Sequence, residues 1–193
     1  MRKAFHNFAL LILVAVVLLA TAAARQSSTD KKSEATTTKA PIPGPEMDRL
    51  KFLVGTWDTI GGYEKSSMFP EGGKQLGWYK ARLGPGGFSI IAEFEAEGPL
   101  GKEIGHQVIA WDPKQNAYQV VTAGNAFPGV IIGTSQWEGS SLVTRWDLNL
   151  DENMFHSRST YSTMANNSLH MEEFIQSGDA PEQLIWKADA TKK

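Results

Sequence analysis

From Glu46 onward the chain alternates apolar and polar residues with a period of two. Phe88, Ile90, Ala92, Phe94 and Ala96 share one face of an extended segment. Ser89, Glu93, Glu95 and Glu97 take the other, with Ile91 as the exception. Leu142, Thr144, Trp146, Leu148 and Leu150 alternate in the same way with Val143, Arg145, Asp147 and Asn149. This period means strands with one face buried. Gly, Pro, Asn and Asp interrupt the pattern about every ten residues, the spacing of an antiparallel sandwich or barrel. The segments between them predict strands over 55–66, 74–83, 87–97, 103–112, 116–124, 129–138, 141–150, 154–165, 168–177 and 183–190. Turn residues stand at each break, among them Gly84-Pro-Gly-Gly87, Gly98-Pro-Leu-Gly101 and Asn166-Asn167. Only Glu46–Val54 reads as helical, with Met47, Leu50 and Val54 on one side.

About ten strands without a covering helix must close or stack. Hairpin after hairpin favours an all-β, antiparallel, up-and-down barrel of about ten strands with a short N-terminal helical turn. A two-sheet sandwich is the alternative. The distinction bears on function, because a closed barrel of this size can hold one small ligand while a sandwich core is solid.

The first 45 residues follow other rules. Arg2 and Lys3 precede an unbroken apolar run from Phe8 to Ala20, and Ala22-Ala23-Ala24 supplies an A-x-A cleavage site. Residues 1–24 therefore predict a secretory signal peptide, the alternative being a retained membrane anchor. Residues 25–45 are rich in Ser, Thr, Lys and Pro, with Ile42 the one sizeable apolar side chain, and predict a disordered linker. Residues 46–193 form the barrel domain. Export places that domain in the periplasm or outside a bacterial cell.

Composition narrows the chemistry. The 193 residues include no Cys, which excludes disulfides, thiolate metal sites and a cysteine nucleophile. The formal net charge of −2 conceals an uneven split. Setting aside Arg2, Lys3 and the four basic and two acidic residues of 25–45 leaves 13 basic and 19 acidic residues in the domain. A domain near −6 seeks neither nucleic-acid phosphates nor anionic lipid, and no membrane contact beyond the export signal is expected. No nucleophile elbow, P-loop or dinucleotide fingerprint occurs.

The strongest local pattern is Leu50-Lys-Phe-Leu-Val-Gly55-Thr56-Trp57-Asp58. A helical turn runs through Gly55 into the first strand, and Trp57 is placed to plug one end of the barrel. Gly-x-Trp in this position is similar to the opening of lipocalin-like (calycin) barrels. The stretch from Pro45 to Trp57 resembles more closely the start of a bacterial family, the domain of unknown function 1579 family. Gly84-Pro-Gly-Gly-Phe-Ser-Ile-Ile91, Gly98-Pro-Leu-Gly-Lys-x-x-Gly-His106 with Trp111-Asp-Pro-Lys114, and Gly133-Thr-x-x-Trp-Glu-Gly139 resemble it too. The resemblance covers most of 45–176 in order and is weakest from Pro181 to Lys193. It implies a lipocalin-like barrel and supplies no established activity and no catalytic residues.

Candidate ligand-binding residues come from the strands. Trp78 and Trp146 are placed to bracket a ligand. His106 is in phase with Ile104, Val108 and Ala110, His156 with Arg158, and His170 with Glu172 and Phe174. No two are spaced as a local chelate, so no metal site is expected. Arg145 and Arg158, like Arg82, lie within strands, and an inward guanidinium would call for a carboxylate-bearing ligand. Glu93, Glu95, Glu97 and Glu103 read as one solvated acidic edge. These features predict a non-catalytic, exported barrel without a cofactor, binding a small apolar or amphipathic molecule. The alternatives are a nitrobindin-like barrel holding haem on an in-strand histidine, a hydrolase or isomerase with an in-barrel Glu/His site, and a solid interaction domain.

Overall fold

The computed structural model describes residues 41–150 and 153–193. The segments expected to be a signal peptide and most of a linker, residues 1–40, lie outside the described residues. Pro45 supplies the fixed φ that suits a helix start, and α1 spans Pro45–Arg49. It tightens into a 3-10 turn over Lys51–Leu53. That tightening moves the buried stripe. Met47, Leu50 and Leu53 are the buried side chains, and Val54, expected on that side, is only half-buried.

Ten strands follow: β1 Gly55–Tyr63, β2 Gly73–Leu83, β3 Ser89–Gly98, β4 Gly101–Asp112, β5 Ala117–Gly124, β6 Val130–Glu138, β7 Ser141–Leu150, β8 Asn153–Thr163, β9 Ser168–Ser177 and β10 Gln183–Lys192. Every expected strand is present, with ends displaced by three residues at most. Each strand pairs antiparallel with the next, and β1 also pairs with β10, so the sheet closes into a barrel with no free edge. The barrel is lipocalin-like, and the sandwich alternative falls.

The barrel is solid at one end and hollow at the other. The solid end is plugged by α1 and the 3-10 turn. Leu50 and Leu53 sit against Trp57, Ile90, Tyr118 and Leu142. The Trp57 indole N–H donates to the Leu53 carbonyl at 2.9 Å, and the Tyr118 hydroxyl donates to the Glu46 carbonyl at 2.9 Å. Arg49 lies 4.6 Å over the Trp137 ring, and Phe52 packs against the same indole. Gly55 makes the entry into β1 possible. Its φ of 142° is open only to glycine, and a Cβ there would meet Lys192 Cε at 2.5 Å.

One irregularity shapes the other end. The β9–β10 register shifts between Leu184 and Trp186. This bulge turns Ile185 and Trp186 both toward the interior, where a regular strand would present only one of them.

Candidate functional site

Above the plug the interior opens into a cavity of about 400 Å³. That lies within the roughly 300–1,000 Å³ range of small-molecule sites, toward its lower end. The loops at the hollow end contribute Met68, Phe69, Leu100, Ala126 and Phe127 to its lining. Phe94, Ile131, Trp146, Leu148, Met171 and Ile185 make an apolar belt on the strands. The polar groups gather within this belt, carried by inward positions of β1, β2, β4, β8 and β9.

Glu173 is the centre of one group. It falls on the inward phase of β9, with Leu169, Met171 and Ile175. It sits deep in the barrel and is half-buried because one side faces the cavity. Its two oxygens accept from the Ser157 and Ser159 hydroxyls. Ser159 accepts in turn from the Trp146 indole N–H at 2.9 Å, which fixes the direction of its own hydroxyl. Burial pushes the Glu173 carboxyl above the usual carboxylate range, and the two serine bonds offset part of that rise.

Glu103 is the centre of the other. Tyr63 donates to its Oε1 at 2.9 Å and Gln75 to the same oxygen at 2.8 Å. The Trp186 indole N–H holds Gln75 in place with a 2.7 Å bond to its amide oxygen. Tyr63 links the two groups, because its hydroxyl is pushed well up by burial, by the Glu103 charge and by the field of Glu173. Tyr161 is pushed up to about 12 by burial and by Glu173. Two buried side-chain atoms at the cavity wall have no partner, Tyr79 Oη and Gln107 Oε1. The Gln107 amide N–H₂ is used, donating to Thr122 Oγ1 at 3.2 Å.

The residues singled out from sequence fare unevenly. Trp146 lines the cavity. Trp78 also borders the cavity, although it lies on the phase of β2 opposite to the inward Gln75 and Ala81. His106 is exposed and outward. Its apolar phase-mates Ile104 and Val108 are 46% and 39% exposed, so over this half of β4 apolar residues stand on the solvent side. Arg145 and Arg158 also face out. Arg145 pairs with Glu138 at 2.5 Å, and Arg158 pairs with Glu182 and lies 4.0 Å over the Phe174 ring. The argument for a carboxylate-bearing ligand fails with them. His156 and His170 are outward too, bonded to Asp147 and Asp189 at 2.7 Å each. Among the described residues no histidine reaches the cavity, so neither a histidine-held haem nor a Glu/His catalytic pair fits this interior. Glu103, read as part of a solvated edge, is instead an interior residue. Gly55 opens β1 and Trp57 is buried in the plug.

Glu173, Glu103, Gln107 and the tyrosines were not anticipated. Glu173 had a legible signal, since it shares its period-two phase with Leu169, Met171 and Ile175.

The fold defines the class as a lipocalin-like barrel. No family model matches the chain, and no curated protein matches it. Among solved structures it is similar to Rv2717c from M. tuberculosis, with 15% identity over 78% of this chain and 99% of that one and a TM-score of 0.54. It also aligns with an S-type phycobiliprotein lyase, CPES from Guillardia theta, at 10% identity over 77% of this chain and 90% of that one, with a TM-score of 0.48. At these identities the likeness is one of fold.

Proposed function

We propose that this protein is an exported, non-catalytic barrel that binds one small amphipathic molecule in its interior. The observation that carries the reading is the division of the barrel: a plugged solid end beneath a cavity of about 400 Å³ with an apolar belt and a few fixed polar groups. Apolar walls supply affinity by removing ligand surface from water, and convergent polar groups supply orientation. The leader-like pattern of residues 1–24 supports export, and the motifs quoted above support membership of the domain of unknown function 1579 family.

Isothermal titration with 1-octanol tests binding, with tryptophan fluorescence as a second readout, since Trp146 and Trp186 both line the cavity. Saturable one-to-one binding is expected, quenched by a bulky substitution such as Thr122→Trp. Absence of any saturable binding sinks the proposal. Cell fractionation with an intact-mass measurement tests export: the mature protein is expected outside the cytoplasm and shortened by about 24 residues.

A further inference from the structure

We infer that the ligand carries a cationic nitrogen, a protonated amine or an amidinium on an apolar body, seated between Glu103 and Glu173. This rests on the binding reading above and specifies the chemistry of the same cavity.

The cavity is rich in acceptors and lacks positive charge. Three glutamates border it: Glu95 lies on the outward phase of β3 and pairs with Lys102 at 2.7 Å, whereas for Glu103 and Glu173 the described lining residues include no Lys, Arg or His to balance them. The Glu173 oxygens receive only the two serine hydroxyls, which are neutral donors. Both bonds to Glu103 fall on Oε1, which leaves Oε2 to meet a ligand.

A second observation, independent of the carboxylates, points the same way. Gln107 is 7% exposed, and its Oε1 accepts no bond although the residue lines the cavity. A buried acceptor without a donor destabilises the site that holds it. The Gln107 amide donates one N–H to Thr122, which leaves Oε1 itself in need of a donor. A ligand N–H meets that need, whereas a ligand carboxylate or phosphate would add acceptors to acceptors and charge to like charge. Tyr63, Phe94, Trp146 and Trp186 line the cavity, and aromatic rings at a binding site favour a cation further. The apolar belt sets the rest of the ligand, since most of the wall cannot hydrogen-bond.

Isothermal titration with a matched series tests this: octylammonium, 1-octanol and octanoate, at constant pH and ionic strength. Octylammonium is expected to bind at least tenfold more tightly than 1-octanol, and octanoate more weakly than either. Glu173→Gln and Glu103→Gln are expected to erase most of the preference for octylammonium over 1-octanol. Equal binding of octylammonium and 1-octanol to the wild-type protein overturns the inference and leaves the binding reading standing. If none of the three binds, the binding reading itself is overturned. The wild-type series decides the matter even if a variant fails to fold. An amine preference that survives both substitutions also overturns the assignment to these carboxylates.

Discussion

The contrast between the plugged and hollow ends can be tested with one substitution made twice. Leu50 is 0% exposed in the plug, between Met47, Leu53 and Trp57. Its surroundings cannot collapse into a void, because the bonds from Trp57 to Leu53 and from Tyr118 to Glu46 pin the turn on both sides. Leu50→Ala therefore loses the transfer free energy of the missing carbons and leaves a new cavity, about 3–5 kcal/mol together. Leu148 is half-buried and already borders the cavity of about 400 Å³. Leu148→Ala enlarges an existing space and loses only the buried part of three carbons, ~1–2 kcal/mol. For a domain of this size the two changes correspond to melting temperatures lowered by about 8–15 °C and about 2–6 °C. Urea unfolding followed by tryptophan fluorescence checks this, with unchanged m-values securing a two-state comparison. Equal costs would refute the reasoning, because they would mean that the hollow end is as tightly packed in solution as the plug.

Other outcomes follow from single contacts. In Gly133→Ala the new Cβ would stand 2.5 Å from Trp146 Cε3 and 2.7 Å from the Arg145 carbonyl oxygen; a loss of about 1–3 kcal/mol is expected, with a changed emission maximum as the indole is displaced. Glu173→Gln should raise the stability of the ligand-free protein at neutral pH. A carboxyl whose folded pKa is raised costs nothing below its unfolded pKa, and its penalty grows as pH rises from there to the folded pKa. The groups facing it are Ser157, Ser159 and Tyr161 on β8, Trp186 on β10 and Tyr63 on β1, none cationic. Melting curves should therefore coincide near about pH 4 and separate toward pH 8; a variant less stable than wild type throughout would contradict this. His170 behaves oppositely. Its bond to Asp189 raises its pKa against partial burial, with the charges of Asp189 and Glu172 adding to the rise. Its stabilisation is full below the unfolded pKa and is lost as pH rises through the folded pKa. His170→Gln should lower the melting temperature at about pH 5 and have little effect at about pH 8.

The architecture was legible because one physical rule dominates it. A closed barrel buries one phase of every strand, so alternation such as Ile90, Ala92, Phe94, Ala96 declares itself. The rule fails on the hollow-end half of β4. There the inward phase is Glu103, Gly105 and Gln107, before it turns apolar at Ile109, and the outward phase holds Ile104 and Val108. The hollow end needs polar groups and close backbone approach inside, which is the reverse of what a core selects. His106 was misplaced for this reason, and Glu103 with it. The inward pair Ile185 and Trp186 depends on a bulge, a register fact that no alternation reveals. Hence alternation describes the plug, where packing rules alone operate, better than the cavity, where they are relaxed.

The interior carboxylates are difficult to explain as structural devices. A buried ionised group is tolerated when paired, and its usual partner is a cation on a neighbouring strand. The outer face of this barrel follows that habit, with Glu138 on Arg145, Glu182 on Arg158 and Glu64 on Lys187. The inner face does not. Placing leucine or methionine at 173, among Leu169, Met171 and Ile175, would relieve the desolvation that burdens the carboxyl. Instead Ser157, Ser159 and Trp146 form a chain of donors that holds the group in one orientation. Costly, preorganised charge facing an open cavity is what a binding site requires, since a ligand gains most from groups that need not move to meet it. A cation entering the cavity would supply the counter-charge that the fold omits, and its binding would stabilise the barrel in proportion to occupancy. Octylammonium should therefore raise the melting temperature of the wild-type protein more than that of Glu173→Gln at equal concentration. An equal rise in both would place the stabilising contact away from Glu173.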